Sequence, residues 1–186
     1  MALKSTIFKA DLQVADLDRG HFADYTLTVA RHPSETDERL MVRLLAFALN
    51  ASATLAFGRG LSSEDEAALR DLDATGSIER WIDVGLPDEK IIRRACNRAR
   101  QVLVLSYGAR AAEIWWQQTA AKVASQTNLT VLALTPAASQ ALTTLAERNM
   151  RLQCAIQDGV VWLGDAERHV EIKPLALFAP AQGAGF

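Results

Sequence analysis

The sequence predicts an α/β (α+β) protein, a mixed central sheet flanked by helices with extra β-hairpins at its N- and C-terminal ends. Three observations predict it. Between residues 79 and 149, runs of β-formers alternate with helical patterns in the order strand–helix–strand–helix–strand–helix. Period-two apolar patterns on either side of turn residues bracket that middle at both ends. The 186 residues are 49% hydrophobic, which excludes a disordered chain. A chain of this size buries roughly 70% of its unfolded surface, so a single domain needs no disulfide or structural metal. That domain is expected to cover 1–180, with 181–186 as a flexible tail lacking any core-forming pattern.

The elements follow in order. "LKSTIFKADLQVAD" and "HFADYTLTVARH" flank the polar turn "DLDRG" and predict an N-terminal hairpin. "HPSETDERLMVRLLAFALN" is the clearest helix: Ser34 is the expected N-cap, acids fill the first turn, and Met41, Leu44, Leu45 and Ala48 form an apolar stripe. "ATLAFGRG" reads as a short strand, and residues 62–77 as an acidic stretch with a short helix and a Thr-Gly turn. Strand 79–84, helix 88–100 and strand 102–107 come next. "GARAAEIWWQQTAAKVASQ" is helical, "NLTVLAL" is a strand, and "TPAASQALTTLAERN" is a helix with Pro136 near its first position. "MRLQCAIQ" and "VVWLG" form a hairpin about Asp158-Gly159, and "HVEIKPLALF" adds a final extended stretch.

Composition narrows the function classes. A formal net charge of −2 excludes nucleic-acid binding by bulk charge, so any such contact needs a local patch. Cys96 and Cys154 sit among apolar neighbours and read as buried, reduced thiols. His21, His32 and His169 are scattered, with no zinc-ligand spacing. The opening stretch carries charges every few residues and no apolar signal core, and no apolar run approaches the ~20 residues of a membrane span. A soluble, cytoplasmic protein without membrane contact is expected; oligomeric state is left open.

Asp83 is the first candidate site residue. It shares a strand face with Trp81, opposite Ile82 and Val84, where a carboxylate is a poor β-former and costly to bury alone. The following helix puts Ile91, Ile92, Ala95, Cys96 and Ala99 on one face, and Lys90, Arg93, Arg94 and Arg98 on the rest. Across 88–110 six cations face two acids. Two readings stand: a strand carboxylate that faces solvent beside a solvated helix, or a shared site for a phosphate and a metal. Glu38, three residues before Met41 and seven before Leu45, continues the apolar stripe and is the second acid. Two carboxylates about 4 Å apart repel by about 4 kcal/mol at an effective dielectric near 20, so a converging pair calls for a proton, an arginine or a divalent cation. Hard oxygen ligands select Mg²⁺ or Mn²⁺ over zinc. In "WWQQ", one of Trp115 and Trp116 is expected in the core and the other at a rim, where an aromatic beside amides could stack on a base.

"LKSTIFKADLQVADLDR", "LTVARHPSETDERLMVRLLAFAL", "WIDVGLPDEKIIRRAC", "RAAEIWWQQ" and "IQDGVVWL" together resemble the bacterial YaeQ family over nearly the whole chain. That family is similar in fold to the PD-(D/E)XK nucleases, built on the core of type II restriction endonucleases. The resemblance implies a restriction-endonuclease-like core with acids at one end, with Glu38 and Asp83 as metal ligands and catalytic acids. Lys90 would be the catalytic cation and Arg93 and Arg94 the phosphate-binding groups. The sequence departs from the nuclease pattern at two places. Gly85 stands at the lysine position, and Ala68 where similar sequences carry an acid after a Glu-Pro pair in the acidic segment; Glu64, Asp65, Glu66, Asp71 and Asp73 are candidate substitutes, and the sequence selects none of them. The function expected is a divalent-metal and phosphodiester site. The alternatives are a non-catalytic module that uses the basic helix 88–100 for nucleic acid or an acidic protein, and a structural subunit whose site is an ion-pair network.

Overall fold

The computed structural model describes residues 4–58 and 66–180. The elements run β1 (Thr6–Asp16), β2 (His21–Arg31), α1 (Asp37–Leu49), β3 (Ala56–Phe57), β4 (Leu69–Leu72), β5 (Ile78–Val84), α2 (Glu89–Arg98), β6 (Ala99–Ser106), α3 (Arg110–Val123), β7 (Leu129–Ala133), α4 (Pro136–Thr143), β8 (Asn149–Gln157), β9 (Val160–Gly164), β10 (His169–Ile172) and β11 (Leu175–Phe178). They build two mixed sheets rather than one central sheet with appended hairpins. The two terminal hairpins join through parallel pairing of β1 with β8, from Lys9↔Asn149 to Asp16↔Ile156, and give a five-stranded sheet ordered β10-β9-β8-β1-β2. The second sheet is ordered β11-β7-β6-β5-β4-β3, with β5, β6 and β7 parallel.

The layers follow from which face each residue presents. Outward and inward positions alternate along β1, and Phe8, Ala10, Leu12 and Val14 point in. They meet α1 and α4, which on their far side meet Ile82, Val84, Leu103 and Leu105 of the second sheet. With a sheet above and a sheet below, α1 has no wet face, and Leu40 through Ala48 are all buried. The alternate residues of the second sheet, Trp81, Val102, Val104 and Val131, pack instead on α2 and α3 through Ile92, Ala95, Cys96 and Val123. Both cysteine thiols are buried, which pushes them up to about 11 for Cys96 and about 12 for Cys154, so neither is a nucleophile near neutral pH. Among the described residues no helix is long and apolar enough to cross a membrane.

Several local expectations shift. Thr36, not Ser34, caps α1 by accepting from the Arg39 N–H; Ser34 bonds His32 instead. The described part of 62–77 is a strand, β4, not a helix, because Leu69 and Asp71 alternate inward on the ladder to β5; residues 62–65 lie outside the described part, as do 181–186. The Thr-Gly turn is present, with Asp73 accepting from the Thr75 and Ser77 N–H groups and Gly76 at φ +83°. "HVEIKPLALF" divides at Pro174: β10 edges the first sheet and β11 the second.

Candidate functional site

Asp83 lies next to last in β5, on the face it shares with Trp81, as the two-residue period requires. Its carboxylate is buried at 9% exposure, and it accepts from the Trp81 indole N–H at 2.8 Å and the Ala68 backbone N–H at 3.3 Å. Burial raises its pKa above the ordinary 3.8; the two N–H donors and the Arg39 charge pull it back without winning. The chain then turns through Gly85, at φ +99°, whose N–H bonds the Leu105 carbonyl, and enters α2 at Asp88, which accepts from the Lys90 N–H at 2.8 Å.

A cleft of about 190 Å³ opens at this corner, and its walls include Arg39, Glu66, Ala68, Asp83, Asp88 and Ile91. Three carboxylates and one guanidinium thus come from α1, the segment before β4, the end of β5 and the α2 cap. Glu66 stands two residues before Ala68 and lines the same cleft, while the Ala68 backbone N–H donates to Asp83.

Glu38 sits half-buried in the first turn of α1, and its charge reaches the Tyr107 hydroxyl, as does that of Arg39. Tyr107 follows β6, and its ring lies 3.9 Å from where a Cβ on Gly85 would stand. Burial pushes the Tyr107 phenol up to about 12, so it remains a neutral hydroxyl. Glu38 is not among the described residues lining the cleft with Asp83; Arg39 is the group whose charge acts on both Asp83 and Tyr107. Lys90, Arg93 and Arg94 are not among the described residues lining the cleft. Lys90 and Arg93 are exposed on α2, Arg93 is 3.7 Å from Glu89, and Arg94 is half-buried and engaged with its surroundings. Among the described residues no three His, Cys, Asp or Glu side chains are grouped as a metal cage.

Beside the cleft is an ion-pair network. Glu35 accepts from Arg39 at 2.8 Å and from the fully buried Arg43 at 3.0 Å, and Arg43 also donates to the Ala30 and Gly58 carbonyls. Burial lowers the Arg43 pKa and Glu35, just before the α1 cap, opposes it, so the guanidinium is held by an ion pair rather than left buried alone. The recurrence of Glu35, Arg39 and Arg43 every four residues is the signal that could have found this network. Trp115 donates its N–H to the Pro87 carbonyl at 2.8 Å, and Trp116 meets Phe178 edge-on; both are half-buried, and neither ring stands free as a base platform.

A family model described as YaeQ protein matches residues 1–174. The chain is 51% identical over 183 residues to the YaeQ protein of Salmonella typhi, covering 97% of this chain and all of that one. It superposes with a TM-score of 0.91 on the crystal structure of YaeQ from Xanthomonas axonopodis pv. citri, at 48% identity over 95% of this chain and all of that one. The match to the YaeQ crystal structure from Pseudomonas syringae has a TM-score of 0.89 at 33% identity, covering 94% of this chain and 97% of that one. On these grounds, the chain belongs to the YaeQ family.

Proposed function

We propose that the cleft at the end of β5 binds a divalent cation, Mg²⁺ or Mn²⁺, together with a phosphodiester, on a core of restriction-endonuclease descent. A mixed sheet covered by α1 on one face and by α2 and α3 on the other, with acids gathered at one end, supports that kinship. One observation carries the site: Asp83 and Glu66 enter the same cleft as Arg39. Two carboxylates fit Mg²⁺, which keeps several waters and takes one or two protein carboxylates beside substrate oxygens. When bound, the cation would lower the pKa of a water and polarise the phosphodiester. The chain's own groups do the rest. Asp83 and Glu66 present oxygens, Trp81 and Ala68 fix the Asp83 carboxylate, and Arg39 offsets phosphate charge. Glu38, whose charge acts on Tyr107, is a further acid outside the cleft lining, and Lys90, Arg93 and Arg94 form an approach surface for a polyanion.

The test is Mn²⁺ titration by electron paramagnetic resonance, with cleavage of a labelled oligonucleotide followed in parallel. Asp83→Ala and Glu66→Ala are each expected to weaken Mn²⁺ binding by about tenfold or more. Mn²⁺ affinity is also expected to rise with pH through the raised Asp83 pKa, since the metal takes the ionised carboxylate. Mn²⁺ binding that both variants leave unchanged would remove the cleft from consideration.

A second reading is binding without hydrolysis, and Gly85 favours it. A lysine at φ +99° would cost about 1–2 kcal/mol of backbone strain, so this turn is built for glycine rather than a catalytic cation. On that reading oligonucleotide binding survives EDTA, weakens steeply with salt, and falls in Lys90→Ala and Arg93→Ala.

A further inference from the structure

The outer face of the five-stranded sheet carries a second feature, lined by none of the residues of the cleft at β5. Register aligns one row of side chains straight across all five strands: Glu171 opposite Trp162, Trp162 opposite Ala155, Ala155 opposite Ala15, and Ala15 opposite Phe22. Two aromatic posts thus stand at the ends of a floor made of two methyl groups. The posts spring from strands three spacings apart, about 14 Å. The adjoining row reads His169, Gly164, Gln153, Gln13 and Asp24, so two side-chain amides lie beside the alanine floor with an imidazole and a carboxylate outside them.

Nothing in the core requires this composition. Phe22 is 67% exposed and Trp162 37% exposed, although both are large and apolar. Trp162 is pinned by its neighbour, its indole N–H donating to Glu171 at 3.3 Å, and Gln153 donates to Gln13 at 3.3 Å, so the floor is partly organised in advance. The groove over these rows has a volume of about 610 Å³, within the range of small-ligand sites. No lysine or arginine is among the described residues lining it, and Asp24 and His169 are its titratable groups apart from the buried Cys154. A polyanion finds no partner there. A single base is too short to engage two rings rooted that far apart. A chain of neutral polyhydroxylated rings fits both constraints: the apolar faces of sugars lie on the aromatic posts, and their hydroxyls pair with planar amide and carboxylate groups.

We propose that the outer face of this sheet, between Trp162 and Phe22, is a binding site for a short neutral oligosaccharide lying across the strands. The test is nuclear magnetic resonance on the full chain, which has four tryptophans and hence four indole N–H signals. Neutral gluco-, chito-, xylo- and manno-oligosaccharides serve as probes, with a single-stranded oligonucleotide as the contrast. At least one sugar is expected to shift the Trp162 indole signal, with an affinity that does not change with salt. Trp162→Ala and Gln153→Ala are each expected to weaken that binding by about tenfold or more, and Trp162→Phe to retain part of it. Gln153 is exposed, so its truncation leaves the fold intact even should Trp162→Ala prove unstable. Overturning results are no sugar shifting the Trp162 signal at millimolar concentration, sugar binding indifferent to Gln153→Ala, or a salt-dependent response to the oligonucleotide alone.

Discussion

Asp83 is oriented by Trp81, two residues earlier on its own strand, and by the backbone at Ala68, so it is held by N–H dipoles while burial penalises its charge. Its pKa is raised, so the folded chain binds its proton more tightly than the unfolded chain does. Stability from this group is therefore full below the ordinary carboxylate value of 3.8 and is lost as pH rises through the raised value. Urea melts of the native chain and of Asp83→Asn should show it: the native chain loses stability relative to the variant as pH rises above the ordinary carboxylate value, then runs parallel once the raised value is passed. An unchanged difference across that range would mean the carboxyl titrates normally. The sequence exposed Asp83 as an oddity because a carboxylate between Ile82 and Val84 breaks the strand pattern. It concealed Arg39, which looks like an ordinary surface cation until α1 is placed against the second sheet.

The elements differ in how openly the sequence declared them. The strand–helix alternation from β5 to α4 was readable because each element is at least five residues long and its period is clean. β4 was hidden: four residues beneath an acidic segment carry too little pattern to separate a strand from a helical turn. The α1 boundary failed by two residues because Ser34 and Thr36 are both good caps, and the choice is made by Glu35, whose side chain turns inward to Arg39 and Arg43. Thr36→Ala is accordingly expected to cost about 1 kcal/mol by chemical denaturation, and Ser34→Ala under about 0.5 kcal/mol. Equal costs would return the cap to Ser34. The site depends on this boundary only through Glu35, which the non-helical start leaves free to pair with Arg39 and Arg43.

At the scale of the whole molecule, the division into two sheets was not legible, because no local signal announces that Lys9 will pair with Asn149. Each terminal hairpin looked self-contained, yet each leaves its inner strand half-paired until it finds the other. The α1 sequence did hint at the outcome, since a helix apolar on nearly every side needs cover above and below. A chain ending at residue 148 lacks β8, β9 and β10 of the first sheet and β11 of the second, and should fail to give a cooperative thermal transition, because β1 then offers an open edge and α1 loses part of its roof; a sharp transition in that truncation would show the β3–β7 strands and their helices to be self-sufficient. The parallel seam between β1 and β8 also governs how the molecule is made. β1 pairs at once with β2, but its other edge must wait for β8, more than 130 residues further along the chain, so the hairpin carries one open apolar edge until that late segment arrives. Closure of the five-stranded sheet is therefore a late, long-range event, and the exposed edge of β1 is the part of the hairpin most open to wrong pairing before it.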